Sequence, residues 1–173
     1  LVSTHDSNTL LYGAHRLFRS RDRGDTWKAI SPDLTSNPGA SRRGNVPFGT
    51  ITTISESHRD SECIYVGTDD GLVQRTLDGG ATWTDVTATL PRKWVSRVVI
   101  SKHPARVYAT MTGYREDDFQ AYAFRSDDHG KSWRSIADGL PTESINVIRE
   151  DPNNTDLLYV GTDRGVHASL DGG

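Results

Sequence analysis

A chain of 173 residues with 34% hydrophobic and 25% charged residues has the composition of a globular protein of one or two ordinary domains, if a polar one. A net charge of −3 and a pI near 6.1 give no electrostatic case for nucleic acid or an anionic membrane as partner, and no apolar run approaches the length of a membrane span. No charged-then-apolar leader is present, so the signal of an exported parent would lie outside this sequence; Cys63 is the only cysteine, which excludes an internal disulfide and reads as a small buried apolar residue.

Short strands are expected almost throughout. Leu10-Leu11-Tyr12-Gly13-Ala14, Leu17-Phe18-Arg19 and Trp27 to Ile30 form a first unit (1–31) of three strands. A polar stretch from Ser31 to Phe48, with Pro32, Pro38, Pro47 and Arg42-Arg43, reads as a loop. A complete unit follows over 49–87, with strands at Ile51 to Ile54, Ile64 to Gly67, Gly71 to Arg75 and Trp83 to Val86. Another spans 94–137, with strands at Val95 to Ile100, Val107 to Thr110, Ala121 to Arg125 and from Trp133. The last unit (144–173) offers Ile145 to Ile148, Leu157 to Val160 and Gly165 to Ala168.

The units are tied together by a recurring box, [Ser/Thr]-x-Asp-x-Gly-x-x-Trp. Its copies are Ser20, Asp22, Gly24 and Trp27; Thr76, Asp78, Gly80 and Trp83; Ser126, Asp128, Gly130 and Trp133; and a last one at Ser169 and Asp171 that stops before its Trp. The aspartates lie 56, 50 and 43 residues apart, a spacing that suits a propeller blade. A short polar side chain can accept from backbone N–H groups a few residues on, the glycine supplies a positive φ, and the tryptophan opens the next strand with a large apolar surface. A device present in every unit is a scaffold feature, so these acids are expected to be structural, and Trp27, Trp83 and Trp133 to be largely buried.

The boxes resemble the Asp-box (BNR) repeat of β-propellers such as sialidases, xyloglucanase-like glycoside hydrolases and the sortilin ectodomain. Trp94-Val95-Ser96-Arg97-Val98, the segment from Gly113 to Phe119, and Val147-Ile148-Arg149-Glu150-Asp151-Pro152 are more specifically similar to large secreted bacterial proteins with sortilin-like repeats, often labelled glycosyl hydrolases. The resemblance implies an all-β partial propeller of about three and a half four-stranded antiparallel blades, and a secreted, periplasmic or cell-surface parent. The first unit is expected to lack its inner strand and the last its outer one, so open blade faces should promote self-association. No Arg-Ile-Pro motif, Gly-x-Ser-x-Gly elbow or phosphate-cradling glycine loop occurs, and the histidines are too scattered for a zinc site; no cofactor or metal is expected.

In a propeller the boxes, joining third to fourth strands, fall on one face of the disc near its rim. The loops around the channel mouth lie on the other face, where ring architectures tend to bind ligands. There the segment from Thr112 to Ala121 is longer than its counterparts at Asp69-Asp70 and Asp163-Arg164, and it concentrates Tyr114, Arg115, Glu116, Asp117, Asp118 and Phe119. Together with Trp94 it forms the candidate ligand surface, supplying rigid aromatic area and polar specificity. A glycosidase would need two opposed carboxylates, so one from this loop would require a partner such as Asp70 or Asp163. Arg97 and Arg149 fall on inner strands, where pairing of Arg149 with Glu150 or Asp151 is expected. Asn153-Asn154-Thr155 is a formal glycosylation sequon that more plainly shapes a turn. The readings left open are a non-catalytic module binding protein, peptide or glycan within a larger exported protein, part of a glycoside hydrolase completed by further blades, or a purely architectural module.

Overall fold

The computed structural model describes residues 1–37 and 48–173. Residues 38–47, which include Pro38, Arg42-Arg43 and Pro47 of the expected loop, lie outside the described residues. Among the described residues, fourteen strands fall into four antiparallel sheets in simple meander order. The first sheet holds β1 (Leu10–Gly13), β2 (Leu17–Ser20) and β3 (Lys28–Ala29). The second holds β4 (Ile51–Glu56), β5 (Ile64–Thr68), β6 (Val73–Thr76) and β7 (Thr84–Asp85). β8 (Trp94–Ile100), β9 (Val107–Gly113), β10 (Asp118–Ser126) and β11 (Arg134–Ser135) form the third, and β12 (Ile145–Glu150), β13 (Leu158–Thr162) and β14 (Val166–Ser169) the fourth. These are blades of a partial β-propeller, as the repeat requires.

Period-two alternation places successive residues on opposite faces of a blade, and between blades those faces pack against each other. Tyr65 and Val73 face the third blade, where they pack in one cluster with Val95 and Met111. Tyr108 and Ala123 likewise pack with Ile145, Ile148 and Leu158 of the fourth. Because strands such as β5 are covered on both faces, all five of its residues are buried, and Ile64 to Gly67 form an unbroken apolar run rather than an alternating one. Inner strands of the second and third blades are also stitched by side chains: Thr52 Oγ1 donates to the Val95 carbonyl at 2.6 Å, and Ser55 Oγ accepts from Ile100 N at 3.0 Å.

Two expectations about the first and last blades change. The first blade has a rudimentary inner strand after all: Val2 bridges Leu10, and Leu1 and Leu11 exchange backbone hydrogen bonds at 2.9 and 2.8 Å. Ser3 then anchors it by donating through Oγ to the buried Glu56 at 2.8 Å. The expected ion pair of Arg149 with Glu150 or Asp151 does not form. Glu150 accepts from Ser101 Oγ and from Lys102 N of the third blade, while Arg149, pointing to the opposite face of β12, donates to the Ile148 carbonyl.

All four boxes fold into one turn. The hydroxyl of Ser20, Thr76, Ser126 and Ser169 donates to the aspartate two residues on (2.7, 2.7, 2.7 and 2.6 Å) and accepts the glycine N–H four residues on (2.7, 2.8, 2.7 and 2.9 Å). Each box is docked on the first hairpin loop of its own blade, since Arg23, Gly79, His129 and Gly172 donate their N–H to the carbonyls of Asn8, Glu62, Ala105 and Asp156. The box glycine has a second reason beyond its positive φ. A Cβ on Gly80 would sit 2.3 Å from the Ile30 carbonyl of the preceding blade, a contact no side chain tolerates.

The box tryptophans are not equally covered, contrary to expectation. Trp83 and Trp133 are partly buried, each with its indole N–H on a carbonyl of the preceding blade, Ile30 at 2.9 Å and Val86 at 2.7 Å. Trp27 is 45% exposed, because no blade described in this chain lies on that side of the first one, and its ring meets Tyr12 edge-on at 6.0 Å.

Candidate functional site

The mouth-side loop of the third blade is built by the β9–β10 hairpin. β9 ends at Gly113, a single 3₁₀ turn covers Tyr114–Glu116, and Asp117 takes a left-handed conformation (φ 54°) that returns the chain into β10. Asp is one of the few residues with a side chain that tolerates this region, which explains an acid there without any ligand. The register of β8 against β9 sets Trp94 opposite Thr112, so Trp94 and the loop emerge together, as the sequence predicts.

Their chemistry is more committed than the sequence suggests. Lys93 Nζ bridges Glu116 at 2.6 Å and Asp118 at 2.8 Å. Asp118 also accepts from Tyr122 Oη at 2.7 Å and from Gln120 N at 3.1 Å. The Lys93 ammonium, then these hydrogen bonds, hold its carboxyl down to about 2. Arg115 lies 4.2 Å over the Trp94 ring and 5.9 Å from Phe48, so one face of Trp94 is already covered by a guanidinium. Tyr114 and Phe119, in contrast, are 63% and 44% exposed and pack edge-to-face on each other at 5.9 Å. Asp117 is exposed beside them.

Two groups important to this region carry no obvious signal in the sequence. Asp69 and Asp70 look like an ordinary turn, yet both are buried. Asp69 accepts from Gly49 N and Thr50 N at 2.8 Å, and Asp70 from Ser36 N and Oγ at 2.7 Å. They tie down the chain on either side of residues 38–47. Lys93 is the other; its position between Arg92 and Trp94, opposite an acidic loop, is the only hint of its clamp. Between Asp69 and Asp70 on one side and Trp94, Thr112 and Arg115 on the other lies a cleft of about 60 Å³, room for a water or two and not for a sugar ring.

The two carboxylates offered as opposed partners are differently placed. Asp70 is buried and occupied, whereas Asp163 is exposed and accepts from Asn146 Nδ2 at 2.8 Å. Among the described residues every aspartate with a resolved shift is lowered, the opposite of the raised pKa that a general acid needs. Cys63 is half-buried, and burial pushes its thiol up to about 11, as expected of an unreactive apolar residue. No group of metal-ligating side chains occurs, and no helix is long and apolar enough to cross a membrane, among the described residues.

Sheets of this order, stacked face to face with their inner strands side by side, define the β-propeller class. Solved structures agree. An ancestral GH74 enzyme superposes with a TM-score of 0.76 at 17% identity, covering 100% of this chain and 22% of its own. The GH74 xyloglucanase from Xanthomonas campestris gives 0.74 at 23% identity, covering 99% and 28%, and the GH74 enzyme of Niastella koreensis 0.72 at 19%, covering 99% and 27%. The chain thus spans about a quarter of the structures it resembles, and at such identities the likeness establishes the fold. No protein-family model and no curated protein matches the sequence.

Proposed function

We propose that this chain is a non-catalytic binding segment of a larger exported propeller protein, contacting a peptide, protein or glycan ligand through the mouth-side loop of its third blade. The observation that carries the reading is the exposed Tyr114–Phe119 pair on a loop found in one blade only, stiffened by the Lys93 clamp on Glu116 and Asp118. Rigid aromatic area beside a guanidinium and a free carboxylate, here Arg115 and Asp117, is the composition of a binding hot spot. The small cleft beneath favours a surface contact over an enclosed ligand. Trp94 then serves mainly as the platform that holds Arg115.

A second reading, part of a glycoside hydrolase completed by further blades, is favoured by the propeller likeness to GH74 enzymes. The lowered Asp118 weighs against that loop supplying the acid. Binding to peptide and glycan arrays, measured for the chain and for Tyr114→Ala with melting followed in parallel, tests the first reading. Loss of a bound class at unchanged melting temperature is expected. Turnover of a glycan panel, abolished by Asp117→Asn or Asp163→Asn, would overturn it in favour of the second.

A further inference from the structure

On the box side of the disc the first and third blade junctions share a latch that the middle junction lacks. We propose that the cleft at this middle junction, between the second and third blades, binds a small apolar carboxylic acid. Its carboxylate takes the place of the latch carboxylate, and its apolar body fills the cleft alongside.

The latch is a glutamate that ends an inner strand and holds the preceding blade. Glu56 accepts from Ser3 Oγ at 2.8 Å and Thr4 N at 2.9 Å, and Glu150 accepts from Ser101 Oγ and, at 2.8 Å, from Lys102 N. Strand register puts Ile100 at the same position of the third blade, since Glu56, Ile100 and Glu150 lie opposite Ile64, Val107 and Leu158. The residues a glutamate there would hold are Ser57 and His58. Ser57 sits in the same turn as Ser3 and Ser101, its Oγ accepting the N–H two residues on at 3.2 Å, as theirs do at 3.2 and 2.8 Å. Ile100 has no side-chain oxygen to offer, so among the described residues neither the Ser57 hydroxyl nor the His58 N–H donates to an acceptor.

The cleft beside them is apolar for an equally local reason. In the third blade the corresponding positions hold an ion pair, Arg106 with Asp127 at 2.7 Å. Cys63 has the place of Arg106, since their carbonyls receive Ser57 N and Ser101 N, and Leu77 follows Thr76 in its box as Asp127 follows Ser126. With Tyr65, Ile100, Pro104 and Ala105 they line a cleft of about 380 Å³, within the range of small-molecule sites, about 300–1,000 Å³. Its rim carries Arg59, which is exposed and in no ion pair among the described residues. The rim's one carboxylate, Asp60, accepts from Glu62 N of its own loop at 2.9 Å. Two donors that a carboxylate satisfies at both sister junctions, a free guanidinium and an apolar wall together select an anion with an apolar body. A neutral apolar molecule would leave the donors unpaired, and a hydrophilic anion would gain nothing from the wall.

Titration of the chain with β-naphthoate, followed by amide NMR shifts, tests this. Saturable binding is expected, with shifts concentrated at Ser57, His58, Cys63 and Ile100, and with at least about tenfold weaker binding of the neutral β-naphthamide and of acetate. Ser57→Ala should weaken β-naphthoate severalfold at unchanged melting temperature. Two substitutions should each abolish binding in a chain with a native circular dichroism spectrum: Ile100→Glu, which rebuilds the latch, and Cys63→Phe, which fills the cleft. Absence of saturable binding, equal affinity for the acid and its amide, or binding that survives Ser57→Ala unchanged would each overturn the assignment.

Discussion

Trp83 and Trp27 occupy the same place in boxes with the same internal hydrogen bonds, yet one is tucked against a carbonyl of the preceding blade and the other is 45% exposed. The same contrast recurs in the stacking residues. Tyr65 and Val73 are 1% and 0% exposed, while their counterparts in the fourth blade, Tyr159 and Val166, are 40% and 75% exposed. The box turn is closed by residues within a few positions of one another and by its own blade's hairpin, so it forms in every unit. Burial of the large side chains depends on a neighbouring blade and is decided one level higher.

The largest expected effect separates these two levels. Trp83→Ala or Trp133→Ala should each cost about 3 kcal/mol, by loss of inter-blade packing and of a buried indole hydrogen bond, whereas Trp27→Ala should cost less than about 1 kcal/mol. Chemical denaturation of the three variants checks this, and equal losses would break the contrast. Next in size is Asp78→Ala, which removes the acceptor of Thr76 and of Thr82 N and Oγ and should lower the melting temperature. Ligand binding at the channel mouth should be untouched, and a binding loss without a melting change would give the box a functional role.

Acid should act on the boxes in the same sense. Asp22 and Asp78 are held down to about 2 from 3.8, chiefly by the hydroxyls of Thr26 and Thr82. Groups lowered in the folded state contribute stability that is present above their ordinary range and lost as pH falls toward 2. Melting temperature should therefore decline below about pH 4, less steeply in Asp78→Asn. The smallest effect belongs to the mouth. Lys93→Met should change stability only modestly, because Tyr122 and Gln120 still bond the Asp118 carboxylate, but should raise that carboxyl from about 2 toward its ordinary value in an NMR titration. An unmoved Asp118 would show that Tyr122 and Gln120 hold the loop without the lysine.

The amino-acid sequence by itself determined the strands, their grouping into blades of three, four, four and three, and the box turns. These follow from local patterns: alternation of apolar residues, a hydroxyl and an acid two residues apart, and a glycine at a positive φ. It also brought Trp94 and the segment from Thr112 to Ala121 to one place, because hairpin register follows from the order of strands. Only the tertiary structure decided which of those residues are free. Arg115 covers Trp94, Lys93 neutralises two of the loop's acids, Glu150 turns to Ser101 instead of Arg149, and Asp69 and Asp70 are buried under backbone N–H groups 19 to 34 residues away. Each of these contacts reaches across a loop or between blades. Their partners are chosen by the twist and stacking of the sheets, which residue spacing along the chain does not encode.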